Sequence, residues 1–249
     1  MKRVLSLLLA AALLMAALCG CAGPGRNQEP AAPEQTEVPA PTPEPTPEPT
    51  PEPNRDLPLP GEEERAKQDE LVPGTIENGV YSQAFSDLQL LVDDSWKVWT
   101  RQEIAKGFYG LPYVEQYGVR EMFNLNLPFC DLVLEGDGLV QVLLEPSPMR
   151  AVSGDICSTA EDYMEALTKS LPGLLQEQGL TDPQTERFQK EICSQRYEVI
   201  RVWGKAGPMT ICQAMYCIQK DGCFLTIVLA GTGERADEPM LAKLLGETD

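Results

Sequence analysis

Four sets of residues in this 249-residue chain have types and spacings that could do chemistry. Cys21, in Leu18-Cys19-Gly20-Cys21, ends an apolar stretch, and its thiol can take a lipid if that stretch is a cleaved leader. Cys130, Cys157, Cys193, Cys212, Cys217 and Cys223 could pair, ligate metal or act as nucleophiles. Glu161 and Asp162 are adjacent carboxylates of the kind used in general acid–base work. Tyr109, Tyr113 and Tyr117 recur every four residues, the spacing of one helical face, and could stack a sugar or a peptide.

Most catalytic readings fall away quickly. The chain contains no histidine. That excludes Ser-His-Asp and Cys-His catalysis, His-ligated zinc and the usual general base near neutral pH. The six cysteines show no C-x-x-C spacing, so neither a thioredoxin-type motif nor a four-cysteine zinc site is signalled. They are expected as free, buried small hydrophobes, with disulfides as the alternative that an exported chain permits. Glu161/Asp162 could support glycosidase chemistry in principle, but two acids at a helix start also answer the helix dipole. The tyrosines form either an aromatic binding face or a lid packed on the core. No catalytic residue, cofactor or metal ligand is expected. An envelope hydrolase is the remote alternative.

The formal charge is −18. Nucleic acid needs a basic face and is a poor partner. Loose binding of divalent cations remains an alternative to plain solvation.

Met1-Lys2-Arg3 is a charged start, and Val4 to Leu18 is apolar but for Ser6. About 15 apolar residues suit a leader's hydrophobic region; a span needs about 20. Leu18-Cys19-Gly20-Cys21 resembles the bacterial lipobox, with cleavage between Gly20 and Cys21 and acylation of Cys21. The competing cut is an ordinary small-x-small site after Ala22. From Ala22 to Pro73 lie 14 of the 22 prolines. Residues 41–53 repeat Pro-Thr-Pro-Glu. Alternate prolines remove every second amide donor, so neither helix nor sheet can form. Polyproline II, extended further by Glu44, Glu48 and Glu52, gives a semi-rigid spacer on the order of 100 Å. The expected organisation is a signal peptide over 1–20, a lipidated tether over 21–73 and one α+β domain over 74–249.

Within that domain the pattern predicts strands at Val80–Phe85, Leu88–Val92 and Trp96–Trp99. Thr100-Arg101-Gln102-Glu103 is a capping box opening a helix through Lys106, with Gly107 ending it. Phe129–Leu134 and Leu139–Glu145 form a hairpin. Ser158 to Glu161 reads as a second capping box, before a helix that buries Tyr163, Met164, Leu167 and Leu171 and that Pro172-Gly173 breaks or kinks. Strands follow at Phe188–Cys193, Arg196–Trp203, Met209–Gln219 and Cys223–Ala230, with a turn at Gly204 to Gly207. Asp221-Gly222 is the strongest hairpin signal. Its two-residue turn sets Lys220 opposite Cys223 and Cys217 opposite Thr226. Cys217 and Cys223 then lie on opposite sheet faces and cannot pair. A last helix spans Asp237 to Leu245, with Gly246 at its end.

The order Gly79-x-Tyr81, Leu88-x-Leu90, Trp96 and Thr100-x-x-Glu103-Ile104 resembles exported lipoproteins of Firmicutes that carry a PsbP-like, or Mog-like, domain. The resemblance implies an α/β/α sandwich: a curved, mainly antiparallel sheet with helices on both faces. It also implies binding rather than catalysis. The expectation is a lipoprotein on the extracytoplasmic face of the cell membrane, held by the lipid on Cys21 and docking an envelope or cell-wall protein. A small-ligand or cation-binding lipoprotein is the alternative.

Overall fold

Asp221 and Gly222 have φ of 47° and 74°, the left-handed pair that a tight hairpin turn requires. They join β11 (Met209–Lys220) to β12 (Cys223–Thr232). Lys220 faces Cys223 and Cys217 faces Thr226, the register expected from the turn. The computed structural model describes residues 66–68, 70–112, 117–125, 127–151 and 153–247. Gly20, Cys21, the Pro-Thr-Pro-Glu spacer and Tyr113 lie outside these residues.

The hairpin is the middle of a seven-stranded antiparallel sheet. One side continues through β6 (Leu139–Pro146), β5 (Phe129–Glu135) and β4 (Lys97–Val98). The other continues through β10 (Gln195–Ala206) and β9 (Thr181–Ile192). β12 is central and buried almost throughout, as its apolar and β-branched run implies. A three-stranded sheet of β1 (Thr75–Glu77), β2 (Val80–Gln83) and β3 (Leu88–Leu91) packs separately. β7 (Met149–Arg150) pairs with β8 (Ile156–Cys157).

Each face of the large sheet has its own core. On one, α1 (Arg101–Phe108) and α3 (Ala160–Glu177) bury Ile104, Phe108, Tyr163, Met164, Leu167 and Leu171. On the other, α2 (Val119–Asn124), α4 (Asp237–Leu245) and the small sheet bury Met122, Leu241, Leu244, Tyr81, Leu88 and Leu90. This is the α/β/α arrangement expected. Cys217 belongs to the first core and Cys223 to the second.

Several boundaries differ for identifiable reasons. α1 runs through Gly107 to Phe108 because Phe108 is buried, and Gly107 lets the Trp99 ring lie against the helix: a Cβ there would meet Trp99 Cζ3 at 2.9 Å. The second capping box is Thr159 with Asp162, one residue later than expected. The carbonyl of Ser158 is instead engaged by the Ser147 hydroxyl. α3 continues past Pro172, since Leu171 and Leu175 are both buried against the same core. β9 starts at Thr181 rather than Phe188: it is an edge strand, largely exposed, so its first half carries polar residues and Pro183. The β10–β11 turn falls on Gly207-Pro208. β1, β7 and β8 are two or three residues long and leave no periodic signal.

One charged group is pinned wholly inside. Arg201 on β10 is 2% exposed. Its Nε and Nη2 donate to the two carboxylate oxygens of Asp237 at 2.8 and 2.9 Å. Glu186 and Glu238 accept from it as well, and it stacks on Phe188 at 4.7 Å. Tyr216 donates its hydroxyl to Asp237. Asp237 is the first residue of α4, so the cluster fixes that helix to the sheet and suits its dipole. Arg201→Met should destabilise the domain by about 3–5 kcal/mol, because it strands a buried carboxylate. Arg201→Met with Asp237→Leu should recover much of that loss. Urea unfolding of the three chains checks both.

Candidate docking site around Arg101 and Asp131

Asp131 sits at a bulge in β5, where the register with β6 shifts between Cys130 and Leu132. The extra residue turns its side chain into the seam between the large sheet and the small one. The carboxylate is fully buried. Four groups donate to it: Gly74 N at 2.8 Å, Tyr81 Oη at 2.8 Å, Gln83 Nε2 at 2.6 Å and Arg101 Nη2 at 2.8 Å. Gly74 is required by this approach, because a Cβ there would lie 2.6 Å from the Tyr81 ring. Burial and the neighbouring carboxylate push the Tyr81 phenol far above its ordinary range.

Arg101 opens α1, which the Thr100–Glu103 capping box starts as expected. Its Nη1 donates to Cys130 O at 2.9 Å, and its guanidinium lies 4.8 Å from the Phe129 ring centre. The side chain is 38% exposed, so the cation reaches the surface while two of its donors are held. Two hollows flank it, and both use Arg101 and Ile104 as a wall. One, of about 150 Å³, is lined by Tyr109, Tyr117, Met122 and Phe129. The other, of about 230 Å³, is lined by Ile76, Tyr81, Val98 and Trp99. Ile76 and Val98 are 40% and 38% exposed, high for aliphatic side chains at the ends of two sheets.

The tyrosine set is thus divided. Between Phe108 and Val119 the described residues are not helical, so Tyr109 and Tyr117 do not share a helical face. Gly110 has φ of 63° and turns the chain out of α1. Both tyrosines nevertheless line the same hollow. Tyr109 is also structural: its hydroxyl donates to Pro128 O at 2.6 Å and accepts from Cys130 N at 2.7 Å. Arg101, Trp99 and Asp131 were missed as site residues. Asp131 had a signal, being the one charged residue inside the apolar run Phe129 to Leu134.

A larger hollow, about 270 Å³, lies near the opposite end of the sheet beside Trp96, Asp137 and Lys243. Lys243 already donates to Ser95, pairs with Asp93 at 3.6 Å and covers the Trp96 ring at 5.2 Å, which leaves little for a ligand.

The arrangement around Arg101 can bind but is not built for covalent chemistry. The Asp131 carboxylate is saturated by donors. Asp162 closes a capping box, and Glu161 beside it is exposed. The six cysteines are free. Burial pushes the thiols up, Cys157 to about 11 and Cys212 to about 12, and those of Cys130, Cys217 and Cys223 further still. Such thiols are poor nucleophiles. Among the described residues no group of three or more His, Cys, Asp or Glu is placed to hold a metal ion.

The fold and site together define an α+β domain with a shallow apolar cleft under a partly exposed arginine. No protein-family profile matches the chain, and no curated protein does. Among solved structures the chain is similar to the solution structure of cyanobacterial PsbP (CyanoP) from Synechocystis sp. PCC 6803. The identity is 16% and the TM-score 0.39, over 70% of this chain and 94% of that chain.

Asp131→Ala should cost about 3 kcal/mol, because four buried or half-buried donors lose their acceptor; the urea midpoint reads this directly. In the folded protein an aromatic disulfide reagent should label Cys193, the half-exposed thiol, within minutes. The other five should react only after denaturant is added.

Proposed function

We propose that this chain is a membrane-anchored, extracytoplasmic lipoprotein whose domain is a non-enzymatic docking module for an envelope protein. The observation that carries the reading is Leu18-Cys19-Gly20-Cys21, set between an apolar leader and a spacer on the order of 100 Å. Two or more acyl chains on Cys21 give stable anchoring where one chain would not. The spacer then sets the distance over which the domain searches for its partner. The cleft beside Arg101 supports docking: apolar walls from two sheet edges, aromatic rings and one cation suit an extended peptide segment better than a small metabolite. The absence of histidine and the raised buried thiols favour docking over Cys- or His-based cleavage.

Cys21→Ser should move the protein from the membrane pellet to the soluble fraction and abolish incorporation of labelled palmitate. A wild-type chain that takes up no labelled palmitate, or a Cys21→Ser chain that still takes it up, would end the lipoprotein reading.

A further inference from the structure

The stretch that joins the tether to the domain is fastened at two unlike places. At its start, Lys67 Nζ pairs with Asp221 at 2.9 Å and Gln68 Nε2 donates to Gly222 O at 2.5 Å. Both acceptors belong to the β11–β12 turn: the side chains of Lys67 and Asp221 are 53% and 42% exposed, whereas Gly222 is buried and Gln68 half-buried. At its far end, Gly74 N donates to the fully buried Asp131 and lies against the Tyr81 ring. Between these points Val72 is exposed, its carbonyl accepting from Gln83 Nε2 at 3.3 Å, and Leu71 is half-buried. The path runs from the β11–β12 turn, past Ser147 at the end of β6, to the start of β5. It therefore crosses strand ends instead of adding a strand to the sheet.

That geometry has a mechanical consequence. A segment lying across strand ends is loaded one contact at a time when its free end is pulled. Strands pulled along their length load many ladder hydrogen bonds together. The exposed Lys67–Asp221 pair is the weakest point, because water replaces it readily, and the Gln68 amide beside it is held only by two backbone carbonyls. The Gly74–Asp131 bond is the strong end, because releasing it exposes a carboxylate that three side chains from β2 and α1 also hold.

We propose that Lys67, Gln68 and residues 70–74 form a releasable strap. Tension on the tether frees the Lys67–Gln68 end from the Asp221-Gly222 turn, peels the strap as far as Gly74 and stops there, with the domain intact. The slack gained is at most about 25 Å, seven residue-to-residue steps from Lys67 to Gly74 at ~3.5 Å each. This rests on the tethered reading above: the strap lets a docked domain stay bound while the distance between membrane and partner changes.

The test is single-molecule force extension of the mature chain. It is held at its N-terminus and at a tag inserted between Gly207 and Pro208, the turn at the other end of β11. The expected trace shows a first extension of no more than about 25 Å, reversible and at a force below that of sheet unfolding. In Lys67→Ala/Gln68→Ala that step should vanish while the later unfolding force is unchanged. A first step that keeps its force in the double variant overturns the proposal. So does a wild-type chain with no step before the sheet unfolds. Neither readout depends on acylation, so failure of the lipid anchor would appear in fractionation and not here.

Discussion

A single buried carboxylate holds the parts of this domain together. Asp131 is one residue too many in β5, and that surplus turns a charged side chain into the seam between two sheets. A lone carboxylate there would be very costly. Donors from the strap, from two positions of β2 and from α1 offset the cost. The small sheet, the first helix and the entering chain thus have a common acceptor. Their positions are coupled: moving any one of them leaves the others with an unsatisfied charge. The two hollows beside Arg101 exist because these elements meet at a point instead of along a continuous face.

The Arg201–Asp237 cluster applies the same solution further along the sheet, where it ties α4 to β10. Both cases place ionised groups where an enzyme would keep reactive ones, yet each buried carboxylate is engaged by several donors. The cysteines follow the same logic. Five of the six are buried, and their thiols are raised by desolvation. At these two clusters polar chemistry serves position. What is left for the outside is shape: Ile76, Val98, Trp99 and the rim of Arg101.

The sequence spoke clearly where local physics sets the answer. Asp221-Gly222 fixed its own turn type, and through it the facing of every residue in β11 and β12, including the separation of Cys217 from Cys223. The capping box at Thr100 and the end of α4 at Gly246 were legible for the same reason. Distance in sequence hid the rest. Thr181 to Arg187 reads as a polar linker, and only pairing with β10 makes it a strand. Pro172 reads as a break, and only the core beneath Leu171 and Leu175 keeps α3 whole. Tyr109 and Tyr117 suggested a helical face. They meet in one hollow through a turn at Gly110, a tertiary fact that periodicity does not carry.

The strap and the cleft are not independent features. Pro73 lines the hollow of Tyr109 and Tyr117, and Gly74 lines that of Val98 and Trp99. A partner seated in either hollow therefore touches the last residues of the strap and buries the Gly74–Asp131 bond more deeply. Contacts added there strengthen the point at which peeling stops and leave the Lys67 end as weak as before. Under the two proposals, docking and slack would work in the same direction: the tighter a partner held, the better defined the length the strap would release. An entry point on the far end of the sheet, beside Asp137 and Lys243, would give no such coupling. On the proposed reading, the approach of Gly74 to Asp131 is where anchoring and recognition would meet.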